Sequence, residues 1–484
     1  MEFEESVRDD GRALLRRFEV PQAVVVAGWP EGTAVIPLPE NGEEAVFQVA
    51  SLSKTATALA VLMLGEQGRL RLDDPVTSHL VSWEPASGGL GPEGVTIRRL
   101  LSHTAGLPVG VPAAELDRPA APDVPPPPLP EVLDGIHGHV AARIVTEPGG
   151  AFVYSNPGYG ILELVIEDVT GQPYPDAMRA LVFDPLGMSN SGFQEEPALL
   201  SRVAPGHRSA GRRADRYRQL PRSAGGLLST GPDIAKMVRA LVTPSSEGGL
   251  LSADSLAEMH TVPDAARGAF GLGDAGGYGL GLAAATLPSG RRFLANNGSH
   301  EGYNALYVAV PDQRSYLVVL TNAETGIGLE LELALRWFDD VIGERPSIAT
   351  TFSTVRRFVG LGTIMLILLA VVVLGRQVFQ LSSGKRRWLG RPRLRRLTLR
   401  TLPAAAVASL LLIALNTGAF TSSIGGLPPA RLISGNYDNQ VALLAALLAA
   451  LGALTTLAPP ATSNQARSTQ RLRQWAGVVR PTTR

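Results

Sequence analysis

Two residues three apart, Ser51 and Lys54, stand where a short strand-like run, Ala45 to Val49, gives way to a long apolar run, Thr55 to Leu64. At a helix start, residues i and i+3 share a face, so the lysine amine stands one turn above the hydroxyl. A serine hydroxyl is a weak nucleophile until a neighbouring base activates it. The positive potential of a helix N-terminus favours an oxyanion, and that potential and burial of the stem both lower a lysine pKa. Ser51 and Lys54 can therefore form a nucleophile with its own base. The spacing alone is weak evidence, because Ser382 and Lys385 repeat it in a basic stretch with no apolar run behind them. Lysine is rare here: Lys54, Lys236 and Lys385 are the only three, against 41 arginines. An arginine at 54 could not act as a base, being always protonated. The competing reading is a capped helix, with Ser51 or Ser53 as N-cap.

Tyr154-Ser155-Asn156, followed by Pro157, is the second constellation. A tyrosine beside a cation can lose its proton below its usual pKa of about 10 and serve as a base toward Ser51, or act as an acid toward a leaving group. Asn156 can offer its amide to a substrate carbonyl or hold Lys54. Tyr437-Asp438-Asn439 matches the same pattern by chance, and Tyr154 could equally be a helix-capping tyrosine. The third constellation is Asn297-Gly298-Ser299-His300-Glu301-Gly302-Tyr303, read as a link between two strands. There the N–H of Ser299 and that of Ser51 would form an oxyanion hole; a plain hairpin turn is the alternative.

The elements that must position these residues are legible in outline. Gln22–Trp29 and Thr33–Leu38 are expected strands around a Pro-Glu-Gly turn, and Ala45–Val49 a third. Helices are expected after Ser51 and over Pro157–Thr170, Tyr174–Val182, Asp233–Leu241 and Leu329–Val341. Arg292–Ala295, Ala305–Val310 and Tyr316–Thr321 read as strands. Pro108–Pro130 is a proline-rich loop or insertion. Strands at both ends and helices between them predict an α/β fold: one sheet built from both termini, with a helical subdomain inserted.

Net charge is zero, but it is divided. From residue 351 onward there are 17 basic residues and a single acid, Asp438; residues 1–350 hold the other 27 basic and 43 acidic residues. An acidic leading part argues against nucleic acid as a partner. Absence of cysteine excludes disulfides and thiol chemistry. No His/Asp/Glu cluster has ligand spacing, so neither metal nor cofactor is expected. Three uncharged apolar runs, near 358–375, 402–420 and 441–458, approach the roughly 20 residues that span a bilayer. Residues 1–345 are thus expected to be the soluble domain, and 346–484 a membrane domain with three transmembrane helices. Arginines crowd the link between the first two runs and the C-terminus, so both are expected in the cytoplasm and residues 1–345 outside it. Met1–Val20 has no signal-peptide core, so this topology expects a further segment upstream.

The series Val49-Ala50-Ser51-Leu52-Ser53-Lys54-Thr55, Val95 to Pro108, Glu147 to Tyr174, Ala224 to Thr230 and Tyr278 to Leu282 resembles, in order, the serine β-lactamase and penicillin-recognising family, in its class C, esterase and DD-peptidase branch. The resemblance covers roughly residues 15–342. It implies the β-lactamase/transpeptidase-like fold: an antiparallel sheet with flanking helices and an inserted helical subdomain. It implies Ser51 as the acylated nucleophile, Lys54 and Tyr154 sharing general-base work, and Asn156 binding substrate; the residues themselves add Gly298, Ser299 and His300 as candidate substrate-binding positions. His103 lies in a segment that looks structural in the family. One departure stands out: the family usually shows Lys-Thr-Gly or His-x-Gly where Asn296-Asn297-Gly298 stands here. A site that grips a substrate carboxylate would lose its cation there, unless His300 replaces it. The expectation is a membrane-anchored serine hydrolase acting through an acyl-enzyme on an extracytoplasmic ester, amide or cell-wall peptide, β-lactams being less favoured. The alternative is an inactive penicillin-binding-like sensor or scaffold at the membrane.

Overall fold

Alternating side chains of one strand, β1 (Ala23–Trp29), serve two separate cores. Val24 and Val26 pack into the core that holds the Ser51 region, while Ala23, Val25 and Ala27 pack into a second core on the opposite face. A strand buried on both faces reads as a continuous apolar run, as this one does. β9 (Tyr303–Val310) and β10 (Ser315–Thr321) divide their side chains the same way. The computed structural model describes residues 2–347, apart from 41, 85–93, 110–125, 137–138, 195, 209–210, 215–218 and 272, and only a few isolated positions beyond.

With β2 (Gly32–Leu38), β5 (Arg267–Gly268), β6 (Gly273–Tyr278), β7 (Ala283–Thr286) and β8 (Arg292–His300), these strands form one eight-stranded sheet in the order β2-β1-β10-β9-β8-β7-β6-β5. Every neighbouring pair is antiparallel. The N-terminal hairpin β1–β2 therefore lies beside the late strand β10, which is the sheet built from both termini that the sequence predicts. β3 (Phe47–Gln48) and β4 (Leu228–Ser229) form a separate two-stranded ribbon, so the third expected strand shrinks to two paired residues.

Helices Glu2–Phe18 and Gly326–Trp337 cover one face. The first is not among the helices expected from the sequence. Its Phe3, Val7, Leu14 and Phe18 fall on one helical face and are buried against the sheet. The opposite face carries the helix Ser53–Glu66, buried from Ser53 through Leu62 and again at Leu64. A helix apolar all round belongs inside a protein, which explains the long run after Ser51. The helix Asn156–Thr170 starts at Ser155, whose Oγ accepts from Gly158 N–H at 3.1 Å, and ends at Gly171 in the left-handed conformation.

Apart from Leu457 and Ala458, the three expected membrane runs lie outside the described residues. At the end of the third, Leu457 and Ala458 pair antiparallel with Arg387 and Trp388. Among the described residues no helix is long and apolar enough to cross a membrane.

Candidate active site

Ser51 lies in a single 3₁₀ turn, Ala50–Leu52, immediately before the helix Ser53–Glu66, not on the helix itself. In a 3₁₀ turn residues i and i+3 eclipse, so the tighter turn still brings Lys54 over the hydroxyl. Neither Ser51 nor Ser53 is the N-cap; Ser53 Oγ instead donates to Ala50 O at 2.6 Å and accepts from Leu227 N–H at 3.0 Å. Ala50 has φ +49°. A non-glycine residue held there costs on the order of 1–3 kcal/mol and persists only where its surroundings enforce it. Here the enforcement comes from Val49 N–H donating to Leu227 O at 3.1 Å and from β8 against the turn.

Lys54 Nζ lies 3.2 Å from Ser51 Oγ and donates to Ala224 O at 2.6 Å. Its side chain has no exposed surface, and burial holds its pKa well below the usual lysine range. Removing charge from a buried amine frees a lone pair to take the Ser51 proton. Tyr154 OH donates to Ser51 Oγ at 2.9 Å. Burial raises the Tyr154 pKa above its ordinary value, and the bond to Ser51 offsets this only in part. Of the two roles expected for Tyr154, base or acid, the raised pKa favours the acid. The amine that was to draw off its proton has its own pKa lowered by burial, although Nζ sits 4.7 Å from the Tyr154 ring centre. Tyr154 is a proton donor in this arrangement.

The third constellation lies on a strand. β8 runs through His300, and only Glu301 and Gly302 form the turn to β9. In a two-residue hairpin the flanking pair, His300 and Tyr303, is hydrogen-bonded, so bonding alternates from there along the ladder. Ser299 opposite Asn304 is then a non-bonded pair, and its N–H points away from β9. On that side β7 ends its pairing at Ala295, and the Ser51 turn occupies the open edge. Gly298 makes this approach possible. A Cβ there would meet Val49 O at 2.2 Å and Ser51 N at 2.9 Å. The Ser299 and Ser51 N–H groups thus border the same edge, as an oxyanion hole requires.

His300 is buried and its Nε2 lies 2.8 Å from Gly225 O, with the ring pKa pushed down to about 4 by burial. It is neutral at physiological pH and does not replace the missing cation. Asn296 is not a vacancy either: Nδ2 donates to Thr55 Oγ1 at 2.9 Å, with Gly281 O at 3.3 Å and Ser51 O at 3.4 Å. Asn156 is the first residue of the helix Asn156–Thr170, half-buried, with its N–H donating to Val109 O at 3.2 Å.

Two contributors escaped the sequence reading. His103 was set aside as structural, yet its ring packs 4.3 Å from the Tyr154 ring and its Nδ1 accepts from Ser155 N–H at 3.0 Å. Ala224 acts through a backbone carbonyl, which leaves no trace in residue type.

A serine hydroxyl between a buried amine of lowered pKa and a phenol, at the edge of an antiparallel sheet, is an arrangement suited to serine acyl transfer. The chain belongs to the Beta-lactamase family, whose model matches residues 22–340, and it carries the serine-hydrolase fold of that family. It is 28% identical over 328 residues to penicillin-binding protein 4* of Bacillus subtilis (strain 168), covering 61% of this chain and 64% of that protein. It is 34% identical over 207 residues to penicillin-binding protein 4 of Amycolatopsis lactamdurans, covering 40% and 50%. The octameric penicillin-binding protein homologue from Pyrococcus abyssi superposes with a TM-score of 0.57 at 24% identity, covering 71% of this chain and 78% of that one. The chain thus matches less than two thirds of the length of either curated relative.

Proposed function

We propose that residues 1–345 hydrolyse an ester, an amide or a cell-wall peptide through an acyl-enzyme on Ser51. The observation that carries this is the position of Ser51 Oγ, 3.2 Å from Lys54 Nζ and 2.9 Å from Tyr154 OH. Ser51 Oγ attacks the carbonyl carbon while its proton passes to Lys54. The carbonyl oxygen becomes an oxyanion facing the Ser51 and Ser299 N–H groups. Collapse expels the alcohol or amine, which takes its proton through the Lys54–Tyr154 pair. Water then attacks the acyl-serine by the same route in reverse, releasing the acid. Asn156 and Ser299 contact the substrate amide or carbonyl.

Asn296 narrows the substrate class. With Asn296 held under the nucleophile and His300 neutral, neither supplies a cation for a carboxylate beside the scissile bond. The reading therefore favours substrates without such a carboxylate over β-lactams. Residues 346–484 would anchor the domain, leaving it outside the cytoplasm and the C-terminus inside; a reporter fused after Arg484 should report cytoplasm, and a signal from the other side contradicts that topology. The hydrolase reading is tested by turnover of short-chain aryl esters and D-amino-acid amides by the intact protein and by Ser51→Ala. Ser51-dependent turnover of either supports it. A wild type that hydrolyses neither overturns it.

A further inference from the structure

Behind Lys54, the short helix Arg222–Gly225 presents three successive carbonyls. Ser223 O accepts from Thr57 Oγ1 at 3.0 Å, Ala224 O from Lys54 Nζ at 2.6 Å, and Gly225 O from His300 Nε2 at 2.8 Å. Two of the three callers thus come from the helix that begins just after Ser51. A helix of four residues cannot hold its own position, because one turn gains too few hydrogen bonds to offset the order it imposes. Its anchor is Glu163, whose side chain is completely buried midway along the helix Asn156–Thr170. One carboxylate oxygen accepts from Ser223 N–H at 2.9 Å and the other from Arg222 Nη1 at 3.1 Å. Ser223 Oγ adds a bond to Tyr159 O at 2.8 Å, on the same helix.

That helix begins two residues after Tyr154. One rigid element therefore fixes both sides of the nucleophile: Tyr154 directly at its start, and Lys54 through Glu163, Ser223 and the Ala224 carbonyl. Packing alone gives no reason for an acid here. The flanking positions Leu162 and Leu164 are buried leucines, and a buried carboxylate is costly unless its partners are well placed.

We infer that Glu163 is a positioning residue for the general base: it sets the Ala224 carbonyl that aims Lys54 at Ser51. The inference rests on the hydrolase reading above. What it requires is reach, an acceptor held under Ser223 N–H. Glu163→Gln keeps that reach and gives up the charge, and the partly exposed Arg222 can turn to solvent. Glu163→Asp keeps the charge and withdraws the acceptor by one methylene.

The test compares both variants with wild type in the intact protein, measuring kcat and KM on the best neutral ester across pH, with melting temperature alongside. Misplacement of a reacting group by about 1 Å can cost about 10²-fold. Glu163→Asp should lose about tenfold or more in kcat with KM little changed and with a displaced acid limb in its pH profile. Glu163→Gln should stay within about threefold of wild type. The inference is overturned if the order is reversed, if both variants keep wild-type kcat, or if both lose only melting temperature while the folded fraction turns over normally. If wild type itself shows no Ser51-dependent turnover, the hydrolase reading fails instead, and the two failures are told apart by that control.

Discussion

The side-chain amide of Asn296 donates to Thr55 Oγ1 at 2.9 Å, directly beneath the turn that carries Ser51. Thr55 in turn donates to Gly281 O at 2.8 Å and meets Tyr307 OH at 3.0 Å. A position expected to read substrate charge is thus tied into the scaffold under the nucleophile. Asn296→Lys would place a cation at the edge of β8 at the cost of these bonds. For ester pairs differing by one carboxylate beside the scissile bond, kcat/KM for the charged member should rise about tenfold relative to the neutral one. An unchanged ratio would show that Asn296 does not set this preference.

The pH profile follows from burial. Lys54 must be uncharged to accept the Ser51 proton, and burial lowers its pKa. Activity should fall as pH drops through that lowered value, so the acid limb of kcat/KM should lie well below the ordinary lysine value of about 10.4. Tyr154 must keep its proton, and its pKa is raised. The alkaline limb should then lie above the ordinary tyrosine value of about 10. A decline in activity centred below 10, in protein that remains folded, would contradict the donor role of Tyr154.

Gly298 is where β8 and the nucleophile turn come closest. Because a Cβ there meets Val49 O at 2.2 Å, and backbone cannot swing aside as a side chain can, Gly298→Ala must separate the Ser51 and Ser299 N–H groups. Loss of one oxyanion donor costs about 10²–10³ in turnover. The variant should lose kcat on that scale. Near-normal kcat would place the oxyanion elsewhere.

His103 should matter to both stability and rate. Its Nδ1 satisfies the buried Ser155 N–H, and its ring backs Tyr154. His103→Leu leaves that N–H unpaired, at about 1–3 kcal/mol, and loosens Tyr154. A lower melting temperature together with a kcat loss exceeding any change in KM is expected. A melting shift with unchanged kcat would leave His103 a purely structural residue.

The sheet was legible wherever strands are rich in valine and leucine, as in β1 and β10. It was invisible in β6 and β7, where Gly273–Tyr278 and Ala283–Thr286 consist mostly of glycine and alanine, which carry no strand preference. The N-terminal helix was hidden by its charge, because its five buried residues are spread over five turns of polar sequence. That Ser51, Lys54 and Tyr154 come together could be anticipated because the chemistry they could do resides in their side chains. The choice between base and acid for Tyr154 stayed open because burial cannot be seen in a motif. Ala224 could not be read at all, since any residue type carries a carbonyl, and Glu163 belongs to no motif, its partners Arg222 and Ser223 lying far along the chain.

Activation of Ser51 by Lys54 is open to measurement by intact-protein mass spectrometry after exposure to a fluorophosphonate. The account predicts one phosphonyl adduct, mapped to Ser51 by peptide analysis, absent in Ser51→Ala and formed at least about 10²-fold more slowly in Lys54→Ala, the range general-base assistance supplies. No adduct on the folded wild type, or an adduct that persists in Ser51→Ala, would contradict it.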